Sequence, residues 1–460
     1  MKKIIAITAM AAMVAAAALA DEPVAEMGVE LSGDATLTWG VDLDEGDTGF
    51  KNEANAKAVV TFVKEGTKST EGDGVWAEVG VKFDGNLKYK LDGDGSEAFV
   101  KDGGKIALDV AKLHIGDLYI GLKSGDITVG EFKLPNAVVS SSDETKLANV
   151  GGKESQGLVA GYSTDDFGIA IDFRSLPDAT ATGTDYYTND YGLSAEAELK
   201  DSNSFVPGLF AKAGVSYAFN EKLLGIGASA GYKLAVGDTF YLKPSVGITG
   251  SKTGSDDFGM NLGGSVLFGW GDEDDANAGV YYLDNDDAKK VTPGVGVAFA
   301  IPDLTASGDK VITIIPSFYS GDIVEGLKAG VLAEIVMSTA SGADPEFGVA
   351  GGVSYELAVG DSIKVTPKAG FRFATTDAGA GFVKVIGHKN EDNGAKTDIA
   401  PADKTDDLTN TGLLNFKAEV DISGLIENTT FGAYYQSRNL KALKDSGKAG
   451  TFNVFVKVSL

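Results

Sequence analysis

Apolar and polar residues alternate with a period of two along most of this chain. One segment has an apolar face and a polar face, in which Leu414, Phe416, Ala418, Val420 and Ile422 alternate with Asn415, Lys417, Glu419 and Asp421. Because successive side chains of a strand point to opposite faces of its sheet, the pattern predicts two-faced strands. Similar segments occupy residues 35–44, 75–84 and 209–219. Each has about nine to eleven residues, the length with which a tilted strand crosses the hydrocarbon layer of a membrane.

The first twenty residues have a different pattern. Lys2 and Lys3 precede an apolar run, Ile4 to Leu19, which ends in the small-residue string Ala18-Leu19-Ala20. This predicts a secretory signal peptide over residues 1–20, cleaved after Ala20 and exported through the Sec pathway. A transmembrane anchor is the alternative, but the run is shorter than the roughly 20 residues that a helix needs. Beyond it no apolar stretch reaches about 18 residues, so only strands could cross a membrane.

Acidic residues outnumber basic ones, with 66 Asp and Glu against 40 Lys and Arg and a formal charge of −26. Loss of Lys2 and Lys3 with the signal changes this charge to −28. Nucleic acid is therefore excluded as a partner, because binding phosphates requires clustered cations. An acidic channel would favour cations. The alternative is that the acids only solvate loops such as 271–277 and 283–287.

Few residue types suited to catalysis or metal binding are present. The chain has no Cys and two His, His114 and His388, which are far apart in sequence. Thiolate chemistry and zinc–thiolate sites are excluded, and both His are interpreted as solvated or wall residues. The sequence around Asp92 lacks the glycine that a calcium loop needs at its sixth position, where Glu97 stands. We therefore predict no enzyme, no metal and no cofactor.

Short strings recur in the same order and predict an internal repeat over about 160–283 and 284–405. The strings at 176–178, 212–215 and 234–238 return in similar form at 301–303, 328–331 and 357–361. Val-Gly-Asp between two alternating runs predicts a tight hairpin turn. The repeat is therefore one of hairpins and not of active sites.

Together these patterns predict an all-β fold, a transmembrane antiparallel β-barrel of roughly 16–24 strands over residues 21–460. The 61 glycines and only 11 prolines are typical of a chain with short alternating segments and many turns. Tyrosine pairs at 186–187, 281–282 and 434–435 are candidates for interfacial girdles. Polar segments 140–154, 178–190 and 388–410 are predicted loops. The chain ends in an alternating strand, 451–460, which resembles the closing strand by which outer-membrane barrels are recognised by the barrel assembly machinery.

The signal, the acidic Cys-free composition, the alternation and the ending Phe431 to Leu460 together resemble the spirochaete major outer sheath proteins, the treponemal Msp and Tpr-like porins. The resemblance implies an abundant outer-membrane surface antigen that contacts lipid and forms large, often trimeric, water-filled pores. It also implies adhesion to host matrix proteins. The family is described as bipartite, so a division near residue 220 into a periplasmic N-terminal part and a C-terminal barrel remains open beside a single larger barrel.

The predicted function is an outer-membrane porin with cation preference for small solutes. The alternative is a surface adhesin or structural sheath protein, in which exposed loops bind a partner and any pore is incidental. A secreted, soluble β-solenoid adhesin is a third option. Candidate pore-lining residues are polar members of alternating strands: Lys212, Ser216, Lys417, Glu419 and Asp421.

Overall fold

The structure is a computed structural model. No helix able to span a bilayer occurs in its described residues. It describes residues 26–43, 46, 48–63, 75–91, 97–124, 156–176, 190–219, 222–255, 257–271, 275–276, 290–291, 293–301, 304–305, 307–321, 323–360, 362–375, 413–437, 440 and 450–459. The predicted signal peptide, His388 and the tyrosine pairs 186–187 and 281–282 lie outside these residues.

The described secondary structure consists of strands. Their bounds are β1 Glu26–Asp42, β2 Thr48–Val63, β3 Val75–Leu91, β4 Glu97–Ile115, β5 Leu118–Ser124, β6 Gln156–Ser163, β7 Phe167–Leu176, β8 Asp190–Leu199, β9 Leu209–Ala218, β10 Leu223–Tyr232, β11 Leu234–Val236, β12 Phe240–Thr253, β13 Gly259–Trp270, β14 Asp275–Ala276, β15 Lys290–Val291, β16 Gly294–Ile301, β17 Val311–Tyr319, β18 Leu327–Ser338, β19 Glu346–Tyr355, β20 Leu357–Val359, β21 Ile363–Ala374, β22 Leu413–Ser423, β23 Thr429–Gln436 and β24 Thr451–Ser459.

The described strands form one closed antiparallel sheet, apart from β14 and β15, which pair with each other. The long strands of the 22-stranded sheet pair in sequence order, with β10 pairing with β12 and β19 with β21, and β1 pairs with β24 to close the ring. The three-residue strands β11 and β20 extend the hairpins of β10 and β19, so twenty strands run round the ring. Closure leaves no edge strand in the ring, which is the condition for strands to exist in hydrocarbon. In the described residues, the parts of β1 and β4 that extend beyond β24 and β5 are paired on one side. The predicted transmembrane barrel of 16–24 strands is confirmed.

The two faces of the wall differ in composition as the alternation predicts. On β22, the outward Phe416 is 41% exposed, whereas the side chain of the inward Glu419 is 6% exposed. On β7, Ile169, Ile171 and Phe173 point outward and Asp172 points inward and is buried. An uninterrupted apolar outer face is costly in water and matches hydrocarbon. The outer face therefore contacts lipid.

Aromatic side chains lie on the outer face near both ends of the barrel. Phe240, Phe268, Trp270 and Phe318 form a chain of ring contacts with centroid distances of 5.5, 6.5 and 6.4 Å. Near the opposite end, Phe416 contacts Tyr435 at 5.4 Å. Two such belts are typical of membrane interfaces. The predicted pair Tyr434-Tyr435 is divided between the faces, because neighbours in a strand point opposite ways, and Tyr434 lies on the inner wall.

The connections between strands differ in length at the two ends of the barrel. The end with turns 116–117, 164–166, 237–239 and 360–362 is called the short-turn rim. The opposite end has the connections 125–155, 177–189, 375–412 and 437–450 and is called the long-loop rim. The lengths are not uniform at either rim. The connections 64–74 and 271–293 are longer and lie at the short-turn rim, whereas 43–47 and 219–222 are short and lie at the long-loop rim.

The repeated strings 234–238 and 357–361 form the same hairpin. In each, a three-residue strand is followed by a glycine, Gly237 or Gly360, with φ of 71°. Left-handed backbone is open to glycine at little steric cost, which explains the Val-Gly-Asp string. Strands before and after residue 220, β9 and β10, pair in the same sheet. The repeat boundaries and the division near residue 220 remain predictions.

Aromatic rings on the inner wall lie across glycines of the neighbouring strand. A Cβ atom built on any of these glycines would overlap the ring, in the pairs Tyr119–Gly161, Phe210–Gly231, Tyr241–Gly269 and Phe455–Gly432. Covering glycine with an aromatic ring compensates for the packing that a strand glycine lacks. These glycines therefore belong to the wall and not to turns.

Candidate pore lining

Three of the predicted pore residues form a cluster on the inner wall at β21–β23. Lys417, Glu419 and Asp421 occupy alternate positions of β22, so their side chains share a face. The register places Lys368 of β21 opposite Glu419. The ammonium of Lys368 lies 2.6 Å from Oδ2 of Asp421 and 3.2 Å from Oε1 of Glu419.

Lys417 completes this arrangement. Its Nζ lies 3.2 Å from Oε2 of Glu419 and 4.1 Å from the ring centroid of Tyr434 on β23. We call Lys368, Lys417, Glu419 and Asp421 the four-charge cluster. Each carboxylate has a lysine within ion-pair distance, and the formal charges cancel. The cluster therefore exposes ammonium and carboxylate groups to the lumen, and none of its charges is left without a partner in the partly desolvated wall.

The other two predicted residues lie on β9, on the same inner face. Lys212 forms an ion pair with Glu196 of β8, with Nζ 3.5 Å from Oε2. Ser216 is fully buried within the wall, so its hydroxyl does not face open lumen in this structure. Crowding on the concave side of the wall determines how exposed Ser216 is. The alternation of a sequence predicts the face on which a residue lies but not this crowding. A lining role for all five residues stays a prediction.

A second polar region covers β3 to β9 near the short-turn rim. His114 stacks on Trp76 at 3.7 Å, and its Nε2 lies 3.9 Å from Oε2 of Glu78. His114 is thus a wall residue, as interpreted from the sequence. Among the described residues, no group of His, Asp and Glu could hold a metal ion.

Lys368 and Glu196 were not predicted from the sequence. Lys364, Thr366 and Lys368 alternate with Val365 and Pro367, a polar-face signal of the same kind as that in β22. The proline interrupts the apolar row there, which hid the pattern. The pairing of Lys368 with Glu419 also depends on a register set across the connection 375–412, which composition does not predict.

No protein-family model matches the chain. The Major surface protein MspTL of Treponema lecithinolyticum is 26% identical over 99% of this chain and 96% of its own length. The Major outer membrane protein MspA of Treponema maltophilum is 26% identical over 100% of both chains. The chain is related to the treponemal Msp family over its full length. The resemblance seen in the sequence is confirmed.

Two solved structures are also similar to this chain. OccK7 (OpdD) of Pseudomonas aeruginosa is 11% identical, with 94% of this chain and 99% of that chain covered and a TM-score of 0.37. OccAB4 of Acinetobacter baumannii is 10% identical, with 95% and 100% covered and a TM-score of 0.40. The strand pairing of this chain itself establishes the barrel.

The Msp relationship and the apolar outer face agree on location. The curated relatives are named as surface and outer-membrane proteins. The predicted outer-membrane location and lipid contact are confirmed. These names describe no enzyme, in agreement with the prediction that the chain is not one.

Proposed function

We propose that this protein is a porin, a water-filled channel through which small solutes diffuse across the outer membrane. The observation that supports this most directly is the ring of twenty strands. The diameter of a barrel grows with strand number, and barrels of about 16–18 strands already enclose an aqueous channel. A polar, charged inner wall is the surface such a channel needs.

The proposed channel prefers cations. Among the residues whose burial the structure describes, three buried residues are acidic, Asp42, Asp172 and Glu334, and one is basic, Lys243. The whole chain has a formal charge of −26. Negative wall charges raise the local concentration of cations. Single-channel conductance in a planar bilayer tests the pore, and the reversal potential in a salt gradient tests its preference. Folded, inserted protein without conductance steps would contradict the proposal.

Neutralising both acids of the four-charge cluster is expected to weaken this preference. The double variant Glu419→Gln/Asp421→Asn retains Lys368 and Lys417, so the local formal charge changes from zero to +2. We expect the cation-to-anion permeability ratio to fall by roughly twofold or more, measured as a shift in reversal potential. Glu325→Gln, on an exposed turn between β17 and β18, is the matched control and should leave the potential unchanged. Equal shifts in both variants would exclude a lining role for the cluster.

Orientation, assembly and surface roles follow from the same proposal. The long-loop rim faces the cell exterior, because long loops of outer-membrane barrels are extracellular. The assembly machinery acts through β24, which pairs with β1 and β23. The Msp resemblance supports a homotrimer and a role as a surface antigen. Binding of host matrix proteins, the adhesin alternative, would depend on loops such as 388–410. These lie outside the described residues, so adhesion stays a prediction from sequence.

A further inference from the structure

A half-enclosed cavity of about 320 Å³ lies in the inner wall between β4 and β9, near the short-turn rim. Its lining has charges of both signs and an aromatic ring: Lys112, Tyr119, Glu196, Glu198 and Lys212. Lys212 and Glu196 form an ion pair with each other. Within the described part of the chain, Lys112 and Glu198 form no ion pair. The lining also includes Asp117, whose carboxylate accepts a hydrogen bond from the hydroxyl of Tyr162. Lys112 and Glu198 are therefore the ammonium and the carboxylate that remain available to a solute.

Three of these side chains pack over inward-facing glycines of the neighbouring strand. The stem of Lys112 lies against Gly121 of β5, the ring of Tyr119 against Gly161 of β6, and the carboxylate end of Glu198 against Gly168 of β7. A Cβ atom on Gly121 or Gly161 would overlap the side chain that covers it, and on Gly168 it would meet Glu198 at 3.0 Å. The cavity thus exists because glycines leave the wall open, and its functional groups are preorganised before a ligand enters.

The separation of the free charges indicates the ligand class. Lys112 is on β4 and Glu198 on β8, four strand spacings apart, or roughly 19 Å along the wall at about 4.8 Å per strand. The stem of Lys112 lies against Gly121 of β5 and the carboxylate of Glu198 lies against Gly168 of β7, so the two side chains extend toward each other along the wall. Two strand spacings, roughly 10 Å, then separate them. A peptide of two or three residues spans about 7–10 Å between its terminal charges. The ring of Tyr119, which has Nζ of Lys112 at 5.4 Å from its centroid, offers a flat surface for a peptide group.

We propose that this cavity is a binding subsite for short peptides in zwitterionic form. Lys112 binds the terminal carboxylate, Glu198 binds the terminal ammonium, and the backbone lies over Tyr119. The subsite rests on the proposed pore, because its ligands reach it by diffusion through the lumen. A pore with such a subsite would slow the transit of short peptides and concentrate them at the wall.

The test is current block by triglycine, compared with two analogues that each lack one terminal charge. N-acetyltriglycine retains only the carboxylate, and triglycine amide retains only the ammonium. We expect the half-blocking concentration of triglycine to be about tenfold lower than that of either analogue. Glu198→Gln and Lys112→Met should each remove this difference while the conductance steps persist.

Two results would overturn the subsite and are distinct from failure of the pore. The first is a channel that opens normally but responds equally to the three probes. The second is a preference for triglycine that both variants retain. If folded protein gives no steps at all, the porin proposal fails. Titration calorimetry with the same probes then decides the subsite separately, since binding to Lys112 and Glu198 does not require current.

Discussion

Replacing Lys368 with methionine is expected to lower the free energy of unfolding by about 2–4 kcal/mol, because it leaves two carboxylates with one lysine in a largely buried wall. Lys368 lies within 3.2 Å of both Glu419 and Asp421, and its side chain is 19% exposed. Methionine retains most of the aliphatic stem, so the change isolates the ammonium. Urea unfolding of the refolded protein, followed by tryptophan fluorescence, measures the effect.

The control for this variant lies on the same strand. Lys364 forms an ion pair of 2.8 Å with Glu356, but these side chains are 54% and 45% exposed. Exposed pairs contribute little, so Lys364→Met should change stability by less than about 1 kcal/mol. Adding Asp421→Asn to Lys368→Met should restore part of the loss, since it removes one of the uncompensated charges. Equal effects of the two lysine variants would show that burial of the four-charge cluster does not determine its contribution.

The faces of the strands could be predicted because lipid imposes a simple requirement. Every outward side chain must be apolar through the hydrocarbon layer, so a period of two persists in sequence wherever a strand crosses it. This is why the row from Leu414 to Ile422 identified the lipid face of β22 correctly. It is also why Lys417, Glu419 and Asp421 were found together on the inner wall.

Strand length was less predictable in the N-terminal part. Alternation predicts segments 35–44 and 75–84, whereas β1 spans Glu26–Asp42 and β3 spans Val75–Leu91. Beyond residue 84 the sequence Gly85-Asn86-Leu87-Lys88 has no continuous apolar row. The strand there is maintained by pairing with β2 and β4. Pairing is a tertiary property, and a single strand's pattern does not contain it.

The charge partners could not be predicted either. Glu419 was identified without Lys368, because their contact depends on which residues of β21 and β22 stand opposite one another. Ser216 was assigned to the right face, but its burial depends on neighbouring side chains on β8 and β10. The glycine content predicted many turns, but it did not identify the glycines that lie beneath aromatic rings in the wall. A glycine's partner across the sheet becomes visible only when the register is known.

The pairing of glycine with an aromatic ring leads to the second large effect, in the variant Gly269→Ala. Gly269 of β13 stands opposite Tyr241 of β12, whose ring lies across it and is 5% exposed. A Cβ atom at residue 269 would overlap that ring, and Nζ of Lys233 lies 4.8 Å from the ring centroid on top of it. The ring must move to a poorer position. We expect a loss of about 1–3 kcal/mol in unfolding free energy, typical of overpacking.

Gly247→Ala is the matched control, since Gly247 of β12 lies on the inner face, as Gly269 of β13 does. The nearest atom to an added Cβ at residue 247 would be Cβ of Ser229, at 3.4 Å. Alanine there should be neutral or slightly stabilising, because it restricts the unfolded chain. Urea unfolding of both glycine variants, of Tyr241→Ala and of Tyr241→Ala/Gly269→Ala completes a double-mutant cycle. With the ring removed, alanine at residue 269 has room, so the cycle should give a coupling energy of about 1 kcal/mol or more. Additive effects would mean that Gly269 is required by the backbone alone and that the ring of Tyr241 does not constrain it.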